Sequence, residues 1–185
     1  MKKPVPDQVI LGLLRLRPMH GYELLERFRK REHLGRIWTM STSQIYAVLK
    51  RLALSGAIVG EEVEVRDAPS KLVYTITTKG ESQLNNWLYD QNPSTSIHLI
   101  RVLFLSKIYI CMFLGLDIKK IVEFQIISCR KQLDKFIIES QSEVSPIERL
   151  TIQYVIGHIK ATISWLEVIQ TSSDLQGRLD GSFSH

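Results

Sequence analysis

The sequence predicts a mainly α-helical protein with one small β-hairpin, arranged as an N-terminal winged helix-turn-helix followed by an all-α C-terminal domain. Three observations carry that prediction. Short amphipathic segments fill residues 8–54, an alternating stretch occupies 57–77, and beyond residue 96 apolar residues recur at helical spacing. Helices, then a hairpin, then a closing helix is the order of a winged helix.

QVILGLLRL (8–16) is densely apolar and reads as a buried helix ending at Arg17-Pro18. MHGYELLERFRKR continues with Tyr22, Leu24, Leu25 and Phe28 as an apolar stripe and charges opposite. A loop through Leu34, Gly35, Arg36 and Trp38 leads to STSQIYAVLKRLALSG (41–56), whose helix runs from Thr42 to Leu54 and stops at Ser55-Gly56. AIVGEEVEVR (57–66) alternates, DAPSK (67–71) reads as the turn, and LVYTIT (72–77) is rich in β-branched residues. A further helix spans Thr78 to Tyr89. QNPSTS (91–96) marks a boundary, giving an N-terminal unit over 1–90 and a helical unit over 91–185, with 172–185 as a loose polar tail.

The most apolar run, IRVLFLSKIYICMFLGL (100–116), is broken by Arg101 and Lys107, which predicts a buried helix and no membrane span. Val122, Ile126, Cys129, Leu133 and Phe136 step by 4, 3, 4, 3, the spacing of a coiled-coil seam, and Ile152, Ile156, Ile159, Ile163 and Leu166 repeat it. The last helix carries a second stripe of Leu150, Tyr154, Gly157, Ala161, Ser164 and Val168. A helix apolar on two faces needs two partners. The seam residues Val122, Ile126, Leu133, Phe136, Ile152, Ile156, Ile159, Ile163 and Leu166 are therefore assigned to a homodimer interface. A single intramolecular bundle is the competing reading.

Composition narrows the function classes. With 185 residues, 44% hydrophobic and 23% charged, the chain can build a core. The net charge of +5 falls mainly in residues 1–90, which carry 14 Lys/Arg against 10 Asp/Glu, so an anionic partner belongs there. MKKPVPDQ lacks the apolar core of a signal peptide. Cys111 and Cys129 sit in apolar helical segments, suiting buried thiols in a reduced cytoplasm. No metal-ligand spacing appears, so neither metal nor cofactor is expected. There is no GxSxG and no phosphate-cradling glycine loop, and the five His are scattered, which argues against an enzyme.

The third helix holds the most information. Ile45, Val48, Leu49 and Leu52 fall at i, i+3, i+4 and i+7 and form its buried face. The opposite face centres on Ser43, Ala47 and Lys50, flanked by Gln44, Tyr46 and Arg51. Ser41 and Gln44 have the spacing of a capping box, which alone would account for both. A helix in the DNA major groove also needs short polar groups at its N-terminus and a cation further along. Ser41, Thr42, Ser43, Gln44, Tyr46, Ala47, Lys50 and Arg51 are the candidate contacts to double-stranded DNA. Arg66, Ser70 and Lys71, around the hairpin turn, are candidate wing contacts to the DNA backbone. Glu61, Glu62 and Glu64 on the first strand would repel DNA, and they suit a competing reading as a winged helix that binds protein. Lys2 and Lys3 read as a solvated terminus or a basic arm.

ILGLLRLRPMHGYELLERF (10–28), SxxxIYAVLKRLALSGAI (41–58) and YTITTKG (74–80) together resemble the PadR family of transcriptional regulators. IRVLFLSKIYI (100–110) and ATISWLEVI (161–169) are similar to the branch with a longer C-terminal helical domain, which includes virulence-gene activators. The resemblance implies a homodimer held by the C-terminal helices, reading a roughly palindromic site. It also implies a repressor released by a small aromatic effector. Trp38, Tyr109, Phe113 and Trp165 are the candidates to line an effector pocket, with core packing as the alternative role. The chain departs from the family at Ala47, often Arg or Pro in relatives, and in its weakly basic DAPSK turn.

Overall fold

Leucine density drives the first element. In α1 (Asp7–Leu16), Val9, Ile10, Leu11, Leu13 and Leu14 are all buried, each worth about 1.5–3 kcal/mol relative to exposure. The computed structural model describes residues 6–65 and 68–172, so Lys2, Lys3, Arg66 and all but Ser172 of the expected tail lie outside the described residues. The helix is followed by a two-residue strand, β1 (Met19–His20), and by α2 (Gly21–Arg29). His20 caps α2, its Nδ1 accepting from the Glu23 N–H at 3.2 Å. A 3-10 turn at Leu34–Arg36 leads to α3 (Thr42–Leu54). The expected bounds of α3 hold.

The hairpin differs from its prediction in two ways. β2 (Ile58–Val65) and β3 (Ala68–Ile76) pair antiparallel, with Val65 opposite Ala68 and a register shift between Val63 and Val65. Ser70 and Lys71 therefore belong to a strand and not to the predicted turn. The hairpin is also part of a three-stranded sheet, ordered β1-β3-β2, because Met19 and His20 pair with Tyr74 and Val73. That order leaves β2 on the outer edge of the hairpin. Its exposed Glu61, Glu62 and Glu64 have a structural role there, since charge on an edge strand opposes pairing with another chain.

Gly80 explains the close joint between the sheet and α4 (Thr78–Leu88). A Cβ at Gly80 would lie 2.2 Å from the Ala57 carbonyl oxygen, which itself accepts from the Thr77 N–H at 3.1 Å. The Thr77 hydroxyl caps α4 by accepting from the Gly80 N–H at 3.2 Å.

Beyond α4 the described chain is helical. α5 (Ile97–Leu99), a π-helical segment (Ile100–Phe104) and α6 (Leu105–Leu114) follow one another directly and end at Gly115, in the left-handed conformation with φ of 66°. By length and composition Ile97–Leu114 could cross a membrane. In this chain 56% of that stretch is buried against the protein itself. Lys107 lies in this buried stretch with its ammonium 5.5 Å from the Trp87 ring, and burial lowers its pKa. Cys111 and Cys129 are free and buried, and burial pushes the Cys111 thiol up to about 12.

α7 (Lys119–Glu139) and α8 (Pro146–Thr171) form an antiparallel pair. Here the interface assignment is corrected. Val122, Ile126, Ile159, Ile163 and Leu166 are buried in the chain's own hydrophobic core, and Leu133 and Phe136 are half-buried against it. Ile152 is buried and Ile156 half-buried within the same chain, outside that cluster. The 4-3 spacing marks a seam, and both of its sides come from one chain. The stripe left open is the second one on α8, where Leu150, Tyr154 and Val168 are 63%, 62% and 62% exposed. One core cluster runs through both halves, from Val9 to Ile169.

Candidate nucleic-acid interface

The buried face of α3 is the predicted one: Ile45, Val48, Leu49 and Leu52. Ser41, Thr42, Ser43, Gln44, Tyr46, Ala47, Lys50 and Arg51 are all exposed. They are not equally available. Ser41 and Gln44 form the capping box, with the Ser41 N–H donating to Gln44 Oε1 at 2.8 Å and the Gln44 N–H to Ser41 Oγ at 3.3 Å. Ser43 Oγ lies 3.0 Å from Ser41 Oγ. Thr42 Oγ1 accepts from Arg29 Nη2 at 3.3 Å, which ties the end of α2 to the start of α3. The Tyr46 ring lies over Gly21, where a Cβ would stand 2.8 Å from the ring edge. Ala47 and Lys50, with no such contact among the described residues, lie in the middle of the exposed strip that Ser43 and Tyr46 complete.

Arg51 is committed further. Its Nε donates to Asp7 Oδ2 at 3.0 Å and its Nη2 to Asp7 Oδ1, a two-point ion pair with the first turn of α1. The hydrogen bond to Asp7 raises the Arg51 pKa further. The guanidinium is half exposed, so the pair adds only about 0.2–1 kcal/mol to stability. At the other end of α3, Lys79 Nζ donates to the Ser55 carbonyl at 2.7 Å. Asp7, Arg29 and Lys79 were absent from the predicted set. The Lys and Arg beside helix ends were findable as such, but their partners were not, being 13 to 44 positions away.

Ser70 and Lys71 are exposed on β3, close to the tip, with Lys71 opposite Val63. Arg66 lies outside the described residues.

The four aromatic candidates divide. Trp38 packs edge-on against Phe28 at 5.3 Å and donates from Nε1 to Ser106 Oγ at 3.2 Å. Three residues on, Tyr109 stacks with Phe113 at 5.9 Å and meets His33 edge-on at 6.3 Å. Arg27 lies 5.6 Å from the Phe113 ring and its Nη1 is 3.1 Å from His33 Nε2. Burial, followed by the Arg27 charge, lowers the His33 pKa. The Tyr109 hydroxyl is buried with no hydrogen-bond partner among the described residues, and burial pushes its pKa up to about 12. Trp165 pairs instead with Phe104 at 5.8 Å. Three of the four thus meet where α2 and its following turn abut α6. Among the described residues no group of His, Cys, Asp or Glu could hold a metal.

The chain is similar to several known proteins. Residues 10–86 match the model of the Transcriptional regulator PadR-like family. Over 84 residues the chain is 37% identical to the negative transcriptional regulator PadR of Bacillus subtilis, a match covering 45% of each protein. It is 29% identical over 84 residues to a protein named a probable transcriptional regulator in Mycobacterium tuberculosis, covering 45% of this chain and 43% of that one. The match thus spans less than half the length of these curated relatives. Among solved structures, Bacillus subtilis PadR in complex with operator DNA aligns at 26% identity and a TM-score of 0.47, covering 90% of this chain and 98% of that one. The same protein in complex with p-coumaric acid aligns at 26% identity and a TM-score of 0.42, covering 92% and 97%.

Proposed function

We propose that this chain, whose residues 10–86 match the model of the Transcriptional regulator PadR-like family, binds double-stranded DNA as a homodimer and represses transcription from a roughly palindromic site. Residues 1–90 form the DNA-binding unit and 91–185 the dimerisation unit, working in the cytoplasm. The carrying observation is the strip of Ser43, Tyr46, Ala47 and Lys50, exposed on a helix that is pinned at both ends and packed on its other face. A rigid helix with a small residue at the centre of its open side can seat deeply in the major groove. Ser70 and Lys71 on the hairpin add backbone contacts alongside it. The name of the 37% identical relative, a negative regulator, favours repression.

Fluorescence-anisotropy titration tests this with the duplex immediately upstream of the gene and a scrambled duplex of equal length. Preference for the first at moderate salt is expected. Equal affinity for both overturns sequence-specific binding.

The joint of α2 and α6 supports release by a small aromatic effector. The Tyr109 hydroxyl, beside Phe113 and Arg27, offers a phenol or carboxylate a partner in an aromatic setting. A thermal-shift screen of aromatic acids should raise the melting temperature for some members; a flat response removes the effector from this reading. Exposed Val59 and Val63 beside Glu61 on one face of β2 favour a second reading, a winged helix that docks protein. DNA affinity that does not fall with salt would support that reading over the first.

A further inference from the structure

The ion pair of Asp7 with Arg51 joins two helices across 44 residues and brings an acid to the side of α3 that faces away from the core. Arg51 lies one turn beyond Ala47 and adjacent to Lys50. Its guanidinium has five N–H donors, of which Asp7 occupies two and leaves three pointing elsewhere. Arg51 is half exposed and Asp7 only 18% exposed, so the carboxylate acts as the fixed backing and the guanidinium as the presented surface. A free arginine at this position would attract any phosphate within about 10 Å at 0.1 M salt, whatever the sequence.

We propose that Asp7 is a positioning residue that sets DNA specificity. It holds the Arg51 guanidinium in one orientation, so that its remaining donors meet a phosphate only when α3 is seated in register. It also cancels the charge that would otherwise attach Arg51 to random DNA. This rests on the DNA-binding reading above. The specificity comes from weakening the wrong complexes, as a like charge does when placed near a competing partner.

Charge counting makes the idea testable. At this site the wild-type pair is neutral, Asp7→Asn leaves one positive charge, Arg51→Gln leaves one negative charge, and the double variant is neutral again. Binding of the four proteins to a duplex recovered by selection from random sequence, and to its scrambled counterpart, is followed against salt. On the scrambled duplex the slope of log affinity against log salt should steepen by about 0.9 per protomer in D7N and flatten by about as much in R51Q. It should return to the wild-type value in D7N/R51Q. The preference for selected over scrambled DNA should fall in D7N. Arg51→Lys, which keeps the charge but cannot make the two-point contact, should lose preference with its slope unchanged. Melting temperatures of all five proteins separate folding defects from binding. Unchanged slopes in both single variants overturn the proposal, as do single and double variants that all shift in one direction. A wild-type protein that binds neither duplex overturns the DNA-binding reading itself, and this proposal with it.

Discussion

Gly12 of α1 and Ile110 of α6 pack so closely that a Cβ on Gly12 would stand 2.5 Å from Ile110 Cγ2. Ile110 is fully buried, so its side chain would have to shift within the core to admit that Cβ. This contact brings the N-terminal helix onto the C-terminal half of the chain. Gly12→Ala should therefore destabilise by about 1–3 kcal/mol through overpacking. Ile110→Ala should cost about 2–5 kcal/mol through a cavity. The double variant should cost less than the two together, because the new methyl enters the space that Ile110 vacates. Urea denaturation measures all three. Strict additivity would mean that the close approach does not constrain this joint.

Ser41 separates capping from recognition. Its hydroxyl accepts the Gln44 N–H, so Ser41→Ala should lower stability by about 0.5–2 kcal/mol. DNA affinity measured well below the melting temperature should change little. A large affinity loss with unchanged stability would move Ser41 from the cap to the reading surface.

The same helix shows what the sequence could disclose. Its limits rest on Ser41, Gln44 and Gly56, all local signals, and they were legible to the residue. The Asp7 partner of Arg51 was not, because an ion pair between two helices leaves no periodic trace. β1 escaped for a related reason: two residues, Met19 and His20, are too few to show alternation, and their pairing with Tyr74 and Val73 is a tertiary fact. The 4-3 spacing from Val122 to Phe136 correctly announced a seam. Spacing cannot tell whether the facing helix comes from the same chain, and the short connection at 140–145 decides it here. Three of the four aromatic candidates met at one joint, whereas Trp165 joined Phe104, a choice made by packing alone.

Lys50 and Ser43 are the residues of the open strip with polar side chains at its centre and leading end. Lys50→Ala should weaken binding to a selected duplex by about 1–3 kcal/mol if it meets a base edge. Ser43→Ala should change which sequences are selected while leaving the salt slope unaltered. Binding selections run with each variant decide this. Identical affinities and identical selected motifs for wild type and both variants would show that the reading face is elsewhere.

Stability should fall in alkali. Burial raises the Cys111 thiol from 9.0 to about 12 and the Tyr109 phenol from 10.0 to about 12. The unfolded chain releases these protons first. Each group therefore contributes fully below its unfolded value, and the contribution is lost as pH rises towards about 12. Above pH 9 Cys111 alone tilts the curve by up to about 1.4 kcal/mol per pH unit. Lys107 acts in the opposite sense, since burial lowers its pKa and deprotonation relieves it. Cys111→Ala isolates the thiol: urea melts from pH 7 to 10.5 should show a shallower decline in the variant. Parallel curves would mean that the thiol ionises normally.

The exposed stripe of α8 makes the last prediction. Leu150, Tyr154 and Val168 are exposed and lie on one face with Gly157, Ala161 and Ser164. A Cβ at Gly157 would meet nothing within 4 Å, so among the described residues no element covers the strip at that point. Small residues flanked by large apolar ones allow a second helix to approach closely. An antiparallel copy of α8 supplies the same residues in self-complementary order, as a two-fold interface demands. Tyr154→Glu should then yield a monomer in sedimentation velocity while the α7–α8 seam, on the opposite face, keeps its melting behaviour. Weak DNA binding should accompany the monomer, because two half-sites would no longer be held together. Ile156→Ala, on the seam side, should lower stability and leave the sedimentation coefficient at its wild-type value. If Tyr154→Glu remains a dimer, the subunit contact lies on a different surface.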